Sequence, residues 1–295
     1  MIQYVKRNQL NEKKYNACIA TSIQSRIYAF SWYLDIVCDN WDVLVFNDYE
    51  AVMPLPWKKK FGVTYISQPF FTQQLGVFSI KEITEETILR FLKSIPNKFV
   101  KIDLQFNSKN KIDKKATTLK DNFILSVKKP YKELYKDFYK GRKSALKQSK
   151  KNLLSVDEIT FDDLLKIAQQ DYNHLVYTES DYKKLSLLSA KLKSNDQGFL
   201  LGVFTKEKTL VGGAIFLKDN FRITYLFSVM NAKGKRLNAA TFLIDSALKE
   251  YAGKHYLFDF EGSMNVGIAG FFKSFGAENE KYTQLKMHAV QRVFI

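Results

Sequence analysis

Residues 198–205 (GFLLGVFT), 209–217 (TLVGGAIFL) and 221–229 (FRITYLFSV) are three β-branched, aliphatic and aromatic runs, cut by short polar turns at Lys206-Glu207-Lys208 and Asp219-Asn220. That pattern predicts three consecutive antiparallel strands. From Asn238 to Tyr251 the apolar spacing changes to three and four, with Phe242, Leu243, Ala247 and Leu248 on one face, which predicts a helix. The run 255–260 (HYLFDF) then returns to a strand, so the order is β-β-β-α-β.

The first half of the chain repeats this order. Residues 41–47 (WDVLVFN) and 50–57 (EAVMPLPW) flank a turn at Asn47-Asp48 and read as a hairpin, followed by a strand at 63–67 (VTYIS). A helix is expected over 82–94, with Ile83, Ile88, Leu89 and Leu92 at helical spacing, then a strand at 98–105. With 295 residues, the chain is long enough for two cores. The expected fold is therefore α/β (α+β), two tandem domains over 1–127 and 128–295. Each is a mixed, mostly antiparallel sheet flanked by helices. Between the sheets lie a charged loop from 112, a strand ending at 127, and one long basic helix over 131–151 with the stripe Tyr131, Leu134, Tyr135, Phe138 and Ala145. Further helices are expected at 160–172, opened by Thr160-x-x-Asp163, and at 181–193, along Leu185, Leu188 and Leu192. Phe30 to Val37 reads as a buried helix, and Cys18 and Cys38 as buried free thiols.

Hydrophobic residues make up 46% and aromatics 15%, which excludes a disordered or low-complexity chain. The formal charge of +16 predicts attraction to something anionic: nucleic acid, lipid headgroups or a phosphate-bearing small molecule. Lysine-rich surfaces in AT-rich bacterial proteomes serve solubility alone, and both readings stay open. Residues 1–14 lack the apolar stretch of a secretory signal and no run approaches the ~20 apolar residues of a membrane span, so a cytoplasmic protein with no stable membrane insertion is expected. His174, His255 and His288 show no metal-ligand spacing, and P-loop, G-x-G-x-x-G and G-x-S-x-G patterns are absent. No metal is expected. Nucleotide hydrolases, Rossmann oxidoreductases and α/β-hydrolases lack their signatures.

Chemistry concentrates in two places of the second half. The turn Asn231-Ala232-Lys233-Gly234-Lys235-Arg236-Leu237-Asn238 enters a helix at Ala239. Asn238 is the expected cap and Gly234 the point of close backbone approach. Lys233, Lys235 and Arg236 add charge to the helix start, so the turn reads either as a phosphate cradle or as a plain capped helix entry. Phe258-Asp259-Phe260-Glu261-Gly262-Ser263 follows, and strand alternation sets Asp259 and Glu261 on one face. Such a pair suits a general base, or closes the sheet end by hydrogen bonding. Backbone N–H groups from Ser228 to Met230 would stabilise an oxyanion. In the first half, the loop 68–78 offers Gln68, Gln73 and Gln74 for ligand contact or for bridging domains.

Asp-Phe-Glu-Gly-Ser at 259–263, Phe272-Lys273-x-Phe275-Gly276-Ala277, the following Tyr282, and Gly141-Arg142-Lys143 on the basic helix together resemble the FemABX peptidyltransferases and the wider GNAT-like acetyltransferase group. The resemblance covers roughly 131–290. It implies tandem GNAT domains and an acceptor in the cleft between them. It also implies acyl or aminoacyl transfer from an acyl-coenzyme A co-substrate or an aminoacyl-tRNA to the amine of a small-molecule or peptidoglycan-precursor-like acceptor. On that reading Asp259, Glu261 and Tyr282 are catalytic, Lys233, Gly234, Lys235, Arg236, Asn238, Ser228 and Met230 hold the donor, and Arg142, Gln68, Gln73 and Gln74 hold the acceptor. Leu237, Asn238 and Ala239 stand where enzymes using coenzyme A carry small glycines. That departure keeps alive the alternative of a degenerate, non-catalytic GNAT pair holding RNA or an anionic surface. The sequence sets no oligomeric state.

Overall fold

The computed structural model describes residues 1–171, without the Asp171 side chain, and 177–288. The chain divides into two compact units, Met1–Asp121 joined by the segment from Glu280, and Asn122–Asn279. The expected boundary therefore shifts. Residues 122–127 belong to the second unit, and the chain beyond 279 returns to the first.

The first unit is built from β1 (Ile2–Lys6), α1 (Glu12–Thr21), α2 (Ser31–Val37), β2 (Asn40–Phe46), β3 (Ala51–Lys60), β4 (Val63–Ser67), β5 (Phe78–Ser79), α3 (Glu85–Lys93), β6 (Phe99–Gln105) and β7 (Thr117–Lys120), completed by β15 (Tyr282–His288). The sheet order is β1-β2-β3-β4-β6-β15-β7, with β5 on β3. All pairings are antiparallel except β4 with β6. Pro54 and Pro56 sit inside β3, where a missing N–H is normally disruptive. Here β5 pairs only Ala51 and Val52, and β4 begins only at Trp57, so both prolines fall in the gap between those partners. Strands β1 and β7 are short and carry lysines, and sequence periodicity did not single them out. Cys18 is buried in α1, and burial pushes its thiol up to about 11.

The second unit runs β8 (Phe123–Ser126), α4 (Tyr131–Asp137), α5 (Lys140–Lys151), β9 (Ser155–Glu158), α6 (Phe161–Asp171), α7 (Glu179–Ser194), β10 (Gly198–Phe204), β11 (Leu210–Lys218), β12 (Arg222–Met230), α8 (Ala232–Arg236), α9 (Ala239–Tyr251), β13 (Leu257–Asp259), α10 (Val266–Lys273) and β14 (Glu278–Asn279). Its sheet order is β14-β8-β13-β12-β11-β10-β9, with β12 and β13 the parallel pair. The three-strand meander stands where its sequence placed it. Helix α6 keeps the reciprocal Thr160–Asp163 cap, and residue 172 lies outside the described residues. Helix α7 starts earlier than expected because Thr178 and Asp181 form a full capping box.

The single basic helix expected over 131–151 is two helices. Phe138 and Tyr139 are extended between them, and the Tyr139 N–H donates to the Ser274 carbonyl at 2.9 Å instead of to its own helix. The break turns Phe138 into the core, edge-on to Phe275 at 5.2 Å. It also changes the buried face of the second segment from Ala145 to Leu146 and Ser149. Phe123, Phe258, Phe260, Phe272 and Phe275 share that core, and each such side chain contributes roughly 1.5–3 kcal/mol on burial.

Candidate functional site

In the second unit the parallel pairing is three residues long, Arg222 to Thr224 on β12 against Leu257 to Asp259 on β13. Strand β12 then continues to Met230. Its register against β11 slips where Ile215 faces Phe227 but Phe216 faces Tyr225, so Leu226 is an extra, bulged residue. Bulges bend a strand and redirect its end. Ser228 and Met230 lie on this bent end, paired with Ala214 and Gly212.

Strand β13 stops at Asp259, short of the expected 260. Phe260 is still buried, and its N–H donates to Phe123 O at 2.9 Å, but Glu261 adopts a left-handed backbone with φ 58°. Alternation therefore does not reach Glu261, and the two carboxylates occupy different environments. Asp259 is 3% exposed, with Oδ2 2.6 Å from Arg222 Nη1 and Oδ1 accepting the Glu261 N–H at 2.9 Å. Both its oxygens are engaged. Glu261 is partly exposed, and a non-glycine residue in this region of φ/ψ is strained. Asp259 holds the turn that presents Glu261.

Tyr177 enters this neighbourhood unannounced by the sequence. Its ring meets Phe227 of β12 edge-on at 5.9 Å and Tyr182 at 6.1 Å. Burial, then the charge of Glu261 and the adjoining Tyr182 and Asp181, raises its phenol above the ordinary value, so the hydroxyl stays protonated. The legible signal was the Thr178-x-x-Asp181 box directly after it, which fixes the start of α7. His174 lies outside the described residues.

The basic turn differs from its expected form. Asn231, not Asn238, is the capping residue, accepting the Gly234 N–H at 2.8 Å at the start of α8. Asn238 is left-handed with φ 60° and makes no side-chain cap. Gly234 is required by packing, since a Cβ there would lie 2.2 Å from the Val211 carbonyl oxygen; its close approach is to β11. Lys233, Lys235 and Arg236 are exposed around it. Among the described residues, the first backbone amides of α9, at Ala239, Ala240 and Thr241, donate to no protein acceptor.

Arg142 of α5 comes to that same helix start. Its Nη1 donates to the Thr241 hydroxyl and its Nε to the Ser274 hydroxyl at 2.8 Å, while its guanidinium lies 4.1 Å from the Phe271 ring centre and 4.8 Å from that of Phe275. It has no carboxylate partner among the described residues, and burial pushes its pKa down to about 10. A half-buried cation beside unengaged N–H groups is an electrostatic imbalance that an anion would correct.

The remaining candidates lie in the first unit. Gln68 donates to Thr72 O at 2.8 Å and accepts from Gln105 N at 3.0 Å; Gln74 is 1% exposed, accepts from Ser108 N at 3.0 Å and donates to the Gln73 side chain. Gln68 and Gln74 thus secure the loop, and Gln73, like Gln68, is half-buried. Tyr282 is buried at the start of β15, so the structure places it in the first unit and Asp259 and Glu261 in the second. Among the described residues there is no cluster of three or more potential metal ligands, and no helix is long and apolar enough to cross a membrane.

Set against solved structures, this architecture is the GNAT-like fold of the FemABX type. FemX superposes with a TM-score of 0.67 at 12% identity, over 95% of this chain and 96% of its own. A tandem GNAT protein from the clavulanic acid biosynthesis pathway gives 0.57 at 8% identity, over 98% and 99%. A conserved protein of unknown function from Bacteroides thetaiotaomicron gives 0.59 at 8%, over 97% and 100%. No protein-family model matches the chain, and no curated protein sequence matches it.

Proposed function

We propose that this protein transfers an acyl or aminoacyl group from a thioester or ester donor to the amine of an acceptor, with the chemistry in the second unit. The observation that carries the reading is Arg142, a half-buried guanidinium without a carboxylate, set at the unengaged N–H groups that open α9. These groups, with Lys233, Lys235 and Arg236, receive a phosphate of the donor, either acyl-coenzyme A or aminoacyl-tRNA. The amine nitrogen attacks the donor carbonyl carbon, the C–N bond forms and the C–S or C–O bond breaks. Glu261 takes the proton the amine loses, and the departing thiolate or alkoxide is protonated in turn. Tyr177 is the donor suited to that last step. Backbone N–H groups of Ser228 to Met230 face the developing oxyanion. Asp259 serves as the positioning residue, and the acceptor is a small molecule or resembles a peptidoglycan precursor.

Calorimetric titration with acetyl-coenzyme A and coenzyme A tests the donor half. Saturable binding lost in Arg142→Met supports the reading. No binding at about 1 mM, where even weak sites register, removes coenzyme A as the donor. The charge of +16 supports a second reading, in which the basic surface holds RNA without turnover; steeply salt-dependent RNA binding with no aminoacyl transfer would favour it.

A further inference from the structure

A pocket of about 740 Å³ opens in the first unit between the loop after α1, the start of α3, the loop after β6, and strands β7 and β15. Its floor is unusually well braced. Arg26, 6% exposed, donates to the carbonyls of Gln24 and Ser25 and to the Ser108 hydroxyl. Asn110 takes the Val77 N–H and donates to the Val77 carbonyl. Two side chains that line the pocket keep a polar atom without a protein partner among the described residues. Gln24 is 2% exposed; its Oε1 accepts the Ser79 N–H at 3.2 Å, which fixes the orientation of the amide, and its Nε2 donates to no protein atom among the described residues. Thr283 is 4% exposed, and its hydroxyl likewise has no protein partner there. Both atoms reach the solvent of the pocket, and a ligand with matching polar groups would exchange their water for direct hydrogen bonds.

The walls define the ligand further. Ile83, Ile112 and Leu119 supply aliphatic surface. The charged lining residues balance, with Lys109, Lys111 and Lys281 against Glu82, Glu85 and Asp113, in a chain otherwise strongly basic. This is no anion trap. The volume falls in the range of small-molecule sites.

We infer that the first unit carries a binding site for a neutral, amide-bearing aliphatic molecule, whose carbonyl accepts from Gln24 Nε2 and whose polar remainder meets the Thr283 hydroxyl. This site does not depend on the transfer reaction, and no substrate role is assigned to it.

The probe is N-acetyl-L-valinamide, followed by ligand-detected NMR and calorimetry on the full chain. Saturable binding that changes little between low and high salt is expected, because the ligand carries no charge. Gln24→Glu keeps the Ser79 acceptor but replaces the donating NH2 with an oxygen, and should weaken binding about tenfold or more. Thr283→Val keeps the side-chain shape and should weaken it by several-fold. Should Gln24→Glu fail to fold by circular dichroism, Thr283→Val carries the test alone. Absence of binding, or equal affinity in the folded variants, overturns the inference. Tighter, salt-sensitive binding of the N-acetyl-valine anion overturns the neutral class. Because none of these measurements uses a donor or Arg142, failure here is distinct from failure of the transfer proposal.

Discussion

Each unit has one parallel strand pair inside an otherwise antiparallel sheet, yet the two pairs are finished differently. In the first unit the chain beyond β4 is stitched back to the chain beyond β6: Gln68 spans to Gln105, and Leu75 pairs with Phe106. In the second unit β13 stops after three pairs, a buried Arg222–Asp259 ion pair holds its end, and the backbone turns at a strained Glu261. Neutral side-chain amides fasten one and opposite charges fasten the other. The difference teaches that a shared strand order leaves the chemistry of the parallel pair to a few residues at its end: left-handed backbone follows in both copies, at Phe71 and at Glu261, but the buried ion pair holds only the second.

The largest expected effect follows from the charged fastening. Asp259→Ala leaves Arg222 buried without its carboxylate and should cost about 3–5 kcal/mol of stability, read from urea unfolding. A loss below about 1 kcal/mol would mean that this pair holds nothing. Glu261→Gln should instead leave the unfolding midpoint nearly in place and lower the transfer rate about 100-fold or more in single-turnover assays. Equal turnover by the variant would move the base elsewhere. Gly234→Ala drives a Cβ against the Val211 carbonyl and should destabilise by about 2 kcal/mol with or without ligand. A variant as stable as the parent but unable to bind the donor would return this glycine to a ligand role. The smallest effect belongs to the neutral fastening: Gln74→Ala should cost about 1 kcal/mol, measured by thermal unfolding, and leave donor binding unchanged. A change in donor affinity there would erase the contrast between the two units.

The strands of the second meander and most of the long helices were legible because their apolar periods are clean. What escaped has physical causes. β1 and β7 are short and charged, so no alternation marks them. The break at Phe138 and Tyr139 is invisible to periodicity because the extended pair is held by Ser274, far along the chain. Around the site, Asp259 and Glu261 were singled out by strand spacing and Arg142 by the family resemblance, but only the fold separates the ion-paired Asp259 from the partly exposed Glu261. Nothing local in Asn231 or Asn238 says which of the two caps a helix; the left-handed backbone of Asn238 decides it. Gln24, Thr283 and Tyr177 owe their surroundings to segments distant in sequence, which no window reading assembles.

Strand β15 lies between β6 and β7, yet it is encoded after the whole second unit. During synthesis the second unit, continuous in sequence, can fold as soon as it emerges, while the first must wait for an interior strand that arrives about 160 residues after β7. Until then the edge of β6 is bare, and the nascent chain carries an open template for mispairing. The order of translation, and not only the final packing, therefore decides which half of this molecule most needs protection while it is being made.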